Sequence, residues 1–275
     1  MKHINKTLDI VVWPLVAVMI FLALQFIGVF VSKTMAFFAF GNEQLDSPEV
    51  IPWSMLISSL LTAAILAFIK PFRLYREFRL WVCGNSNALY ACIIIIMTMF
   101  AASAVNELLE NYAGMKMDEQ FKEVFENAVT TPVGIISLVL AGPVCEELVF
   151  RAGIMKPMME RNVKPWIPIF MSSLIFALIH GNMSQMIYGF LMGFMFAIVY
   201  YRTKSLIITT ILHILNNLLM VTMMCNVENY DEITMEQYLG LGPLLAFLSV
   251  SLIIITLLIR HFWKNTEIYQ NNLCQ

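Results

Sequence analysis

The sequence predicts an all-α, polytopic membrane bundle of about eight transmembrane helices with both termini in the cytoplasm. Three observations predict it. Of 275 residues, 59% are hydrophobic and only 13% charged, with a mean hydropathy of +0.75, whereas soluble domains carry about 25% charge. Apolar runs long enough to cross a bilayer, about 20 residues each, recur along the chain. Basic residues fall almost wholly in alternate loops, the asymmetry expected of a multi-pass protein.

The first run, Ile10–Val31, is too long for a signal-peptide core and no small-residue cleavage site follows it, so it is read as a retained span. Pro52–Ile69 and Leu89–Val105 follow as the second and third spans. Pro132–Met155 is the fourth. Pro165–His180 is the fifth and is short. Gln185–Tyr201, Leu206–Met224 and Leu239–Ile259 complete the set. No internal repeat or low-complexity linker divides them. Residues 1–130, 131–225 and 226–275 are therefore read as N-terminal helices, central core and C-terminal helix of one integrated bundle.

Two connecting stretches carry structure of their own. Phe72–Val82, FRLYREFRLWV, alternates arginine with aromatics and leucine, the pattern of an interfacial helix on an anionic inner leaflet. Residues 106–130 are long and charge-mixed. They hold either an amphipathic segment, with Val124 and Phe125 at the outer headgroups, or a solvated connector.

Of the 17 lysines and arginines, only Lys33, Lys116 and Lys122 fall in odd-numbered loops. Those same loops are acidic, at Glu43, Asp46 and Glu49, from Glu107 to Glu126, and from Glu228 to Glu236. Cytoplasmic loops are enriched in Lys and Arg, which sets the orientation. The expected setting is a multi-pass protein of a cell membrane, with a bacterial plasma membrane as the specific expectation. The lipid bilayer is the implied surroundings, and nothing points to a nucleic-acid partner.

Four polar residues lie in membrane-grade sequence: Glu146, His180, His213 and Asn217. A charge at a helix centre costs about 2.5–3.5 kcal/mol on insertion scales, so such residues usually face a bundle interior or wet cavity and mark function. Glu147 and Arg151 are i and i+4, hence on one helical face and able to pair. Glu146 is rotated about 100° from Glu147 and lacks that partner, which suits it to proton transfer. Phe176 sits one turn before His180, placed to fix its ring. His213 and Asn217, again i and i+4, share one face of the seventh span, and Asn216 points off that face.

Peptide hydrolysis inside a membrane needs a water, a base and donors for the oxyanion. Glu146 with His180 can activate water, and His213 with Asn217 can donate to the tetrahedral oxygen. The preferred reading is metal-free, with no cofactor. Zinc held by Glu146, His180 and His213 is the alternative, although no H-E-x-x-H is present. The five cysteines are scattered, with no C-x-x-C pair, and Cys145 beside Glu146 is read as a buried free thiol rather than a nucleophile.

These residues resemble the CPBP family, membrane proteins related to type II CAAX prenyl proteases and bacteriocin-processing enzymes. The family's motifs E-E-x-x-x-R, F-x-x-x-H and H-x-x-x-N stand here as Glu146-Glu147…Arg151, Phe176…His180 and His213…Asn217, in order and intact. The resemblance implies an intramembrane endopeptidase acting on a membrane-associated peptide or protein. The first Glu and first His would activate water; the second His and the Asn would form the oxyanion hole. Bacterial members are linked to pheromones, bacteriocin maturation, self-immunity and envelope regulation, and some of the family are classed as metalloproteases.

Two other classes stay open: a non-proteolytic immunity or scaffold protein of the same fold, and a transporter using Glu and His as a proton relay. No paired halves with matching broken helices support transport. One geometric tension stands. His180 lies about 15 residues, or roughly 22 Å, from the cytoplasmic start of its span, and His213 only about seven residues from the start of its own. The site forms only if tilt or a displaced helix brings them level.

Overall fold

The computed structural model describes residues 2–41, 50–68, 85–161, 163–227 and 234–271. The expected interfacial helix at Phe72–Val82 and the acidic stretches 42–49 and 228–233 lie outside the described residues. The described residues form helices and no strand. In chain order these are α1 (Lys2–Phe40), α2 (Val50–Phe68), α3 (Asn85–Ala113) and α4 (Glu119–Val129). Next come α5 (Pro132–Glu160), α6 (Trp166–Leu178), α7 (Met183–Thr203) and α8 (Leu206–Asn226). A short α9 (Met235–Leu239) leads into α10 (Leu241–Asn271).

Among the described residues, seven helices are long and apolar enough to span a membrane: α1, α2, α3, α5, α7, α8 and α10. The eighth expected span is α6, whose 13 residues reach only about 20 Å at 1.5 Å per residue, short of a hydrocarbon core about 30 Å thick. Termini on one side require an even number of crossings. Under the expected charge-based orientation, α6 and its connections at 163–165 and 179–182 must together complete one.

The bundle packs as a membrane protein does. Its outside carries Phe26, Phe30, Phe38, Leu252 and Ile253, all well exposed, while Ser58, Ser59, Thr62, Ser172, Ser173 and Thr209 are buried. Lipid tails already solvate large apolar groups, so helices associate through small residues and hydrogen bonds. At the α1–α2 seam a Cβ on Gly28 would lie 2.7 Å from Ser58 Cβ and 2.8 Å from the Ser54 carbonyl. Beside it Ser58 Oγ donates to Gln25 Oε1 at 2.9 Å.

Helix α3 continues to Ala113, beyond the expected end of the third span. The amphipathic segment in 106–130 forms as α4, with Asp118 as its N-cap accepting from Gln120 N–H at 2.9 Å. This helix sits on the bundle rather than apart from it. Val124 and Phe125 are half-buried, and a Cβ on Gly134 of α5 would meet the Ala128 carbonyl at 2.0 Å.

Helix α5 twice opens from α- to π-helical pairing, over Ser137–Ala141 and Leu148–Met155. Gly142 N–H bonds the Ser137 carbonyl and Lys156 N–H bonds that of Arg151, both five residues back. Each widened stretch ends two residues before a proline, Pro143 or Pro157. A proline ring crowds the carbonyl four residues earlier and supplies no N–H. A wider turn ahead of it relieves the crowding without breaking the rod.

At the α7–α8 turn Arg202, Thr203, Ser205 and Leu206 are buried while Lys204 is exposed. The turn's backbone donors are met locally: Lys204 N–H by the Tyr200 carbonyl (2.7 Å), Ser205 N–H by Thr203 Oγ1 (3.2 Å) and Ile208 N–H by Ser205 Oγ (3.3 Å). Buried backbone groups demand such partners. Lys204 itself takes a left-handed φ of 52° to make the turn.

Two outcomes follow. Gly28→Val should overpack the α1–α2 seam and lower stability by about 1–3 kcal/mol, read as a lower thermal midpoint in detergent. In a chain stripped of native cysteines, single cysteines at Lys164 and Met183 should label from opposite membrane faces; labelling from one face would make α6 re-entrant.

Candidate active site

The site grows outward from a carboxylate with no exposure. Glu147 and Arg151 are both 0% exposed, one turn apart on α5. Arg151 Nε donates to Glu147 Oε2 at 2.9 Å and a terminal guanidinium nitrogen reaches Oε1 at 3.5 Å. The other terminal nitrogen donates to Ser172 Oγ of α6 at 2.8 Å, and Ser172 donates to the Phe150 carbonyl at 3.0 Å. The guanidinium also lies 5.8 Å from the centroid of the Phe176 ring. A buried ion pair is tolerable only with further hydrogen bonds to its members, and Ser172 of α6 supplies one of them to Arg151.

Glu147 has a second partner. Its Oε1 lies 3.1 Å from His213 Nδ1 on α8. A guanidinium-paired carboxylate only accepts hydrogen bonds, so Nδ1 carries the hydrogen and Nε2 is the working nitrogen. Nε2 faces Glu146 Oε2 at 3.6 Å. Glu146 keeps 23% of its side chain exposed while His213 keeps 5%. Phe196 of α7 stacks on the imidazole with ring centroids 4.7 Å apart, and Phe176 meets it edge-on at 5.9 Å. The ring is clamped on its faces by aromatics and at both nitrogens by carboxylates.

His180 follows the C-terminus of α6. Its Nδ1 lies 2.7 Å from the Phe176 carbonyl, which only accepts, so His180 carries hydrogen on Nδ1 and a lone pair on Nε2. The Phe176 ring contacts it edge-on at 4.9 Å. Phe176 therefore stands between the two histidines. It is held in turn by Phe150 at 5.1 Å and by the bare backbone of α7. A Cβ on Gly193 would come within 2.9 Å of Phe176 Cδ1, and one on Gly189 within 3.7 Å of His180.

Asn217 lies one turn beyond His213, and its Nδ2 donates to the Leu138 carbonyl at 2.8 Å. That carbonyl sits in the first widened turn, where Gly142 N–H is taken by Ser137 and the next residue, Pro143, has none. Its neighbour Asn216 is buried, donates to Asn217 Oδ1 at 3.0 Å and accepts from Tyr188 Oη at 2.9 Å.

The expected residues thus lie on α5, on α8 and at the end of α6, with Phe176 packed between His180 and His213. Two placements differ from the sequence-based picture. Glu146 faces His213, a contact the sequence did not indicate, and His180 meets the group through Phe176. Glu147 pairs with Arg151 and also fixes His213. Sequence reading missed Asn216, Tyr188, Phe196, Ser172, Gly189 and Gly193. The G-x-x-x-G at 189–193 was a usable signal of close helix contact; the others are visible only in three dimensions. Cys145 is fully buried, against Thr62 of α2.

Glu146, His180 and His213, the alternative zinc set, do not converge: among the described residues, no three His, Cys, Asp or Glu side chains are grouped to hold a metal ion.

Residues 128–219 match the family model described as Type II CAAX prenyl endopeptidase Rce1-like. Over this third of the chain the sequence is similar to the Rce1-like family. It runs from the end of α4 into α8 and holds every residue of the three motifs, in agreement with the CPBP resemblance they carry. The family's description names an endopeptidase, and the seven apolar helices make the chain a multi-pass membrane protein. No curated protein and no solved structure matches the chain.

Removing one member of a buried pair strands the other charge, at about 3–5 kcal/mol. Arg151→Met should therefore destabilise the Rce1-like core by that order in a denaturant titration in micelles. The double variant Arg151→Met with Glu147→Gln should lose less than Arg151→Met alone.

Proposed function

We propose that the chain is an intramembrane endopeptidase that hydrolyses a peptide bond of a membrane-associated peptide or protein, using water and no metal. The observation that carries this reading is the histidine clamped between two unequal carboxylates, Glu147 sealed at Nδ1 and Glu146 partly exposed at Nε2. A purely structural ion pair has no need of the second, half-open carboxylate.

In this mechanism Glu146 and His180 Nε2 hold the water between them, and Glu146 takes its proton as the oxygen attacks the scissile carbonyl. The lone pair on His180 Nε2 makes it an acceptor, as the step requires. His213 donates to the oxyanion only when Nε2 bears a hydrogen, since its other nitrogen is committed to Glu147. A proton taken from the water by Glu146 is 3.6 Å from that nitrogen. It then passes to His213, whose imidazolium is held between the two carboxylates. The free N–H of Asn217 is the second donor. As the tetrahedral oxygen collapses, the C–N bond breaks and the proton goes to the departing amine. Loss of one oxyanion donor costs about 2.7–4 kcal/mol in comparable sites.

The carbonyl chemistry does not choose the substrate sequence. The segment's likeness to prenyl endopeptidases supports a lipid-associated peptide; we place the protein in a plasma membrane, a bacterial one, with both termini cytoplasmic, the orientation its loop charges support.

The test compares membrane and secreted peptides from cells expressing wild type or Glu146→Gln, which keeps the shape and loses the base. Particular peptides should vanish with Glu146→Gln and with His180→Ala. Unchanged peptide profiles, with any cellular phenotype preserved in Glu146→Gln, would sink the proteolytic reading in favour of an immunity or scaffold role.

A further inference from the structure

We infer that Tyr188 and Asn216 are positioning residues that set the orientation of the Asn217 amide, an assignment that rests on the proteolytic reading above. An asparagine amide has nearly the same shape either way round, so only its partners decide which end faces the reacting carbonyl. Here the decision begins at one acceptor. The Leu138 carbonyl lacks an intrahelical donor because Gly142 N–H is spent on Ser137 and Pro143 has no N–H.

A carbonyl oxygen cannot donate, so the group 2.8 Å from it must be Asn217 Nδ2. That turns Asn217 Oδ1 the other way, where it requires a donor, and Asn216 Nδ2 supplies one at 3.0 Å. Asn216 Oδ1 then requires a donor in turn, and Tyr188 Oη gives it at 2.9 Å. Each link fixes the polarity of the next, so the chain runs in one sense from Tyr188 on α7 to Leu138 on α5. Aligned hydrogen bonds of this kind also strengthen one another. Nδ2 carries two hydrogens. Leu138 takes one, and the second is what a tetrahedral oxygen would receive.

Without the Tyr188 hydroxyl, Asn216 loses its reason to present nitrogen to Asn217 Oδ1, and Asn217 is left anchored by Leu138 alone, its second N–H held less firmly toward the site. Such a change weakens transition-state stabilisation and leaves ground-state binding alone.

The experiment uses the full chain purified in detergent. Its probe is the peptide whose release Glu146→Gln abolishes in cells, synthesised with a quenched fluorophore pair across its cut. Tyr188→Phe should lower kcat about tenfold with KM unchanged, and Asn216→Asp, which removes the N–H aimed at Asn217, should do the same. Asn217→Ala should lower kcat about 10²–10³-fold. Tyr188→Phe added to Asn217→Ala should bring no further loss, because Tyr188 acts only through Asn217. Should Asn217→Ala fail to fold, Asn217→Ser takes its place in the cycle. An undiminished kcat in Tyr188→Phe, a change confined to KM, or multiplying losses in the double variant each overturn the assignment. If Glu146→Gln abolishes no peptide, the proteolytic reading falls and the relay falls with it. If Glu146→Gln is inactive and the cycle multiplies, only the relay falls.

Discussion

A carboxylate sealed inside a membrane protein is the constraint on which the rest of this site depends. Glu147 has no exposure, and an uncompensated charge there would cost several kcal/mol. Its compensation is spread over three helices: Arg151 from its own α5, Ser172 of α6 through the guanidinium, and His213 of α8. Satisfying one buried charge therefore fixes the relative positions of α5, α6 and α8. The same contacts deliver a histidine whose free nitrogen points at the other, partly exposed glutamate. Stability and chemistry share these atoms, so the structural pair cannot be altered without disturbing the reactive one.

The prolines of α5 act at a second level. Two widened turns, each ahead of a proline, keep a 29-residue rod continuous. They also change which backbone groups are left over. The Leu138 carbonyl is free to accept from another helix because Pro143 follows where its donor would stand. Asn217 meets it, so an irregularity in one helix becomes an attachment point for the next. Irregular backbone at membrane depth is tolerated only where protein satisfies it, and this arrangement meets that demand with a side chain from the site itself.

His213 packs against Phe176 and through it reaches His180, and the α7–α8 turn that precedes it buries Thr203 and Ser205. The turn needs a left-handed residue at Lys204 and three local hydrogen bonds to be buried at all. Glycines on α7 serve the packing around Phe176, since Gly193 lets the Phe176 ring lie against the helix backbone.

By itself the sequence determined the all-α membrane class, the position of seven spans, and the four polar residues, three within those spans and His180 just beyond α6. It also determined that Glu147 and Arg151 share a face, as do His213 and Asn217. Hydropathy and helical period are local properties, so they are legible one segment at a time. Tertiary structure decided what faces what. It set Glu146 against His213, gave Glu147 a second task, brought Asn216 into the site from a position read as turned away, and seated α4 on the bundle. Those outcomes depend on the turn widening ahead of Pro143 and on close approach at glycines. Each is a relation between segments distant in the chain, and no single segment's periodicity encodes it.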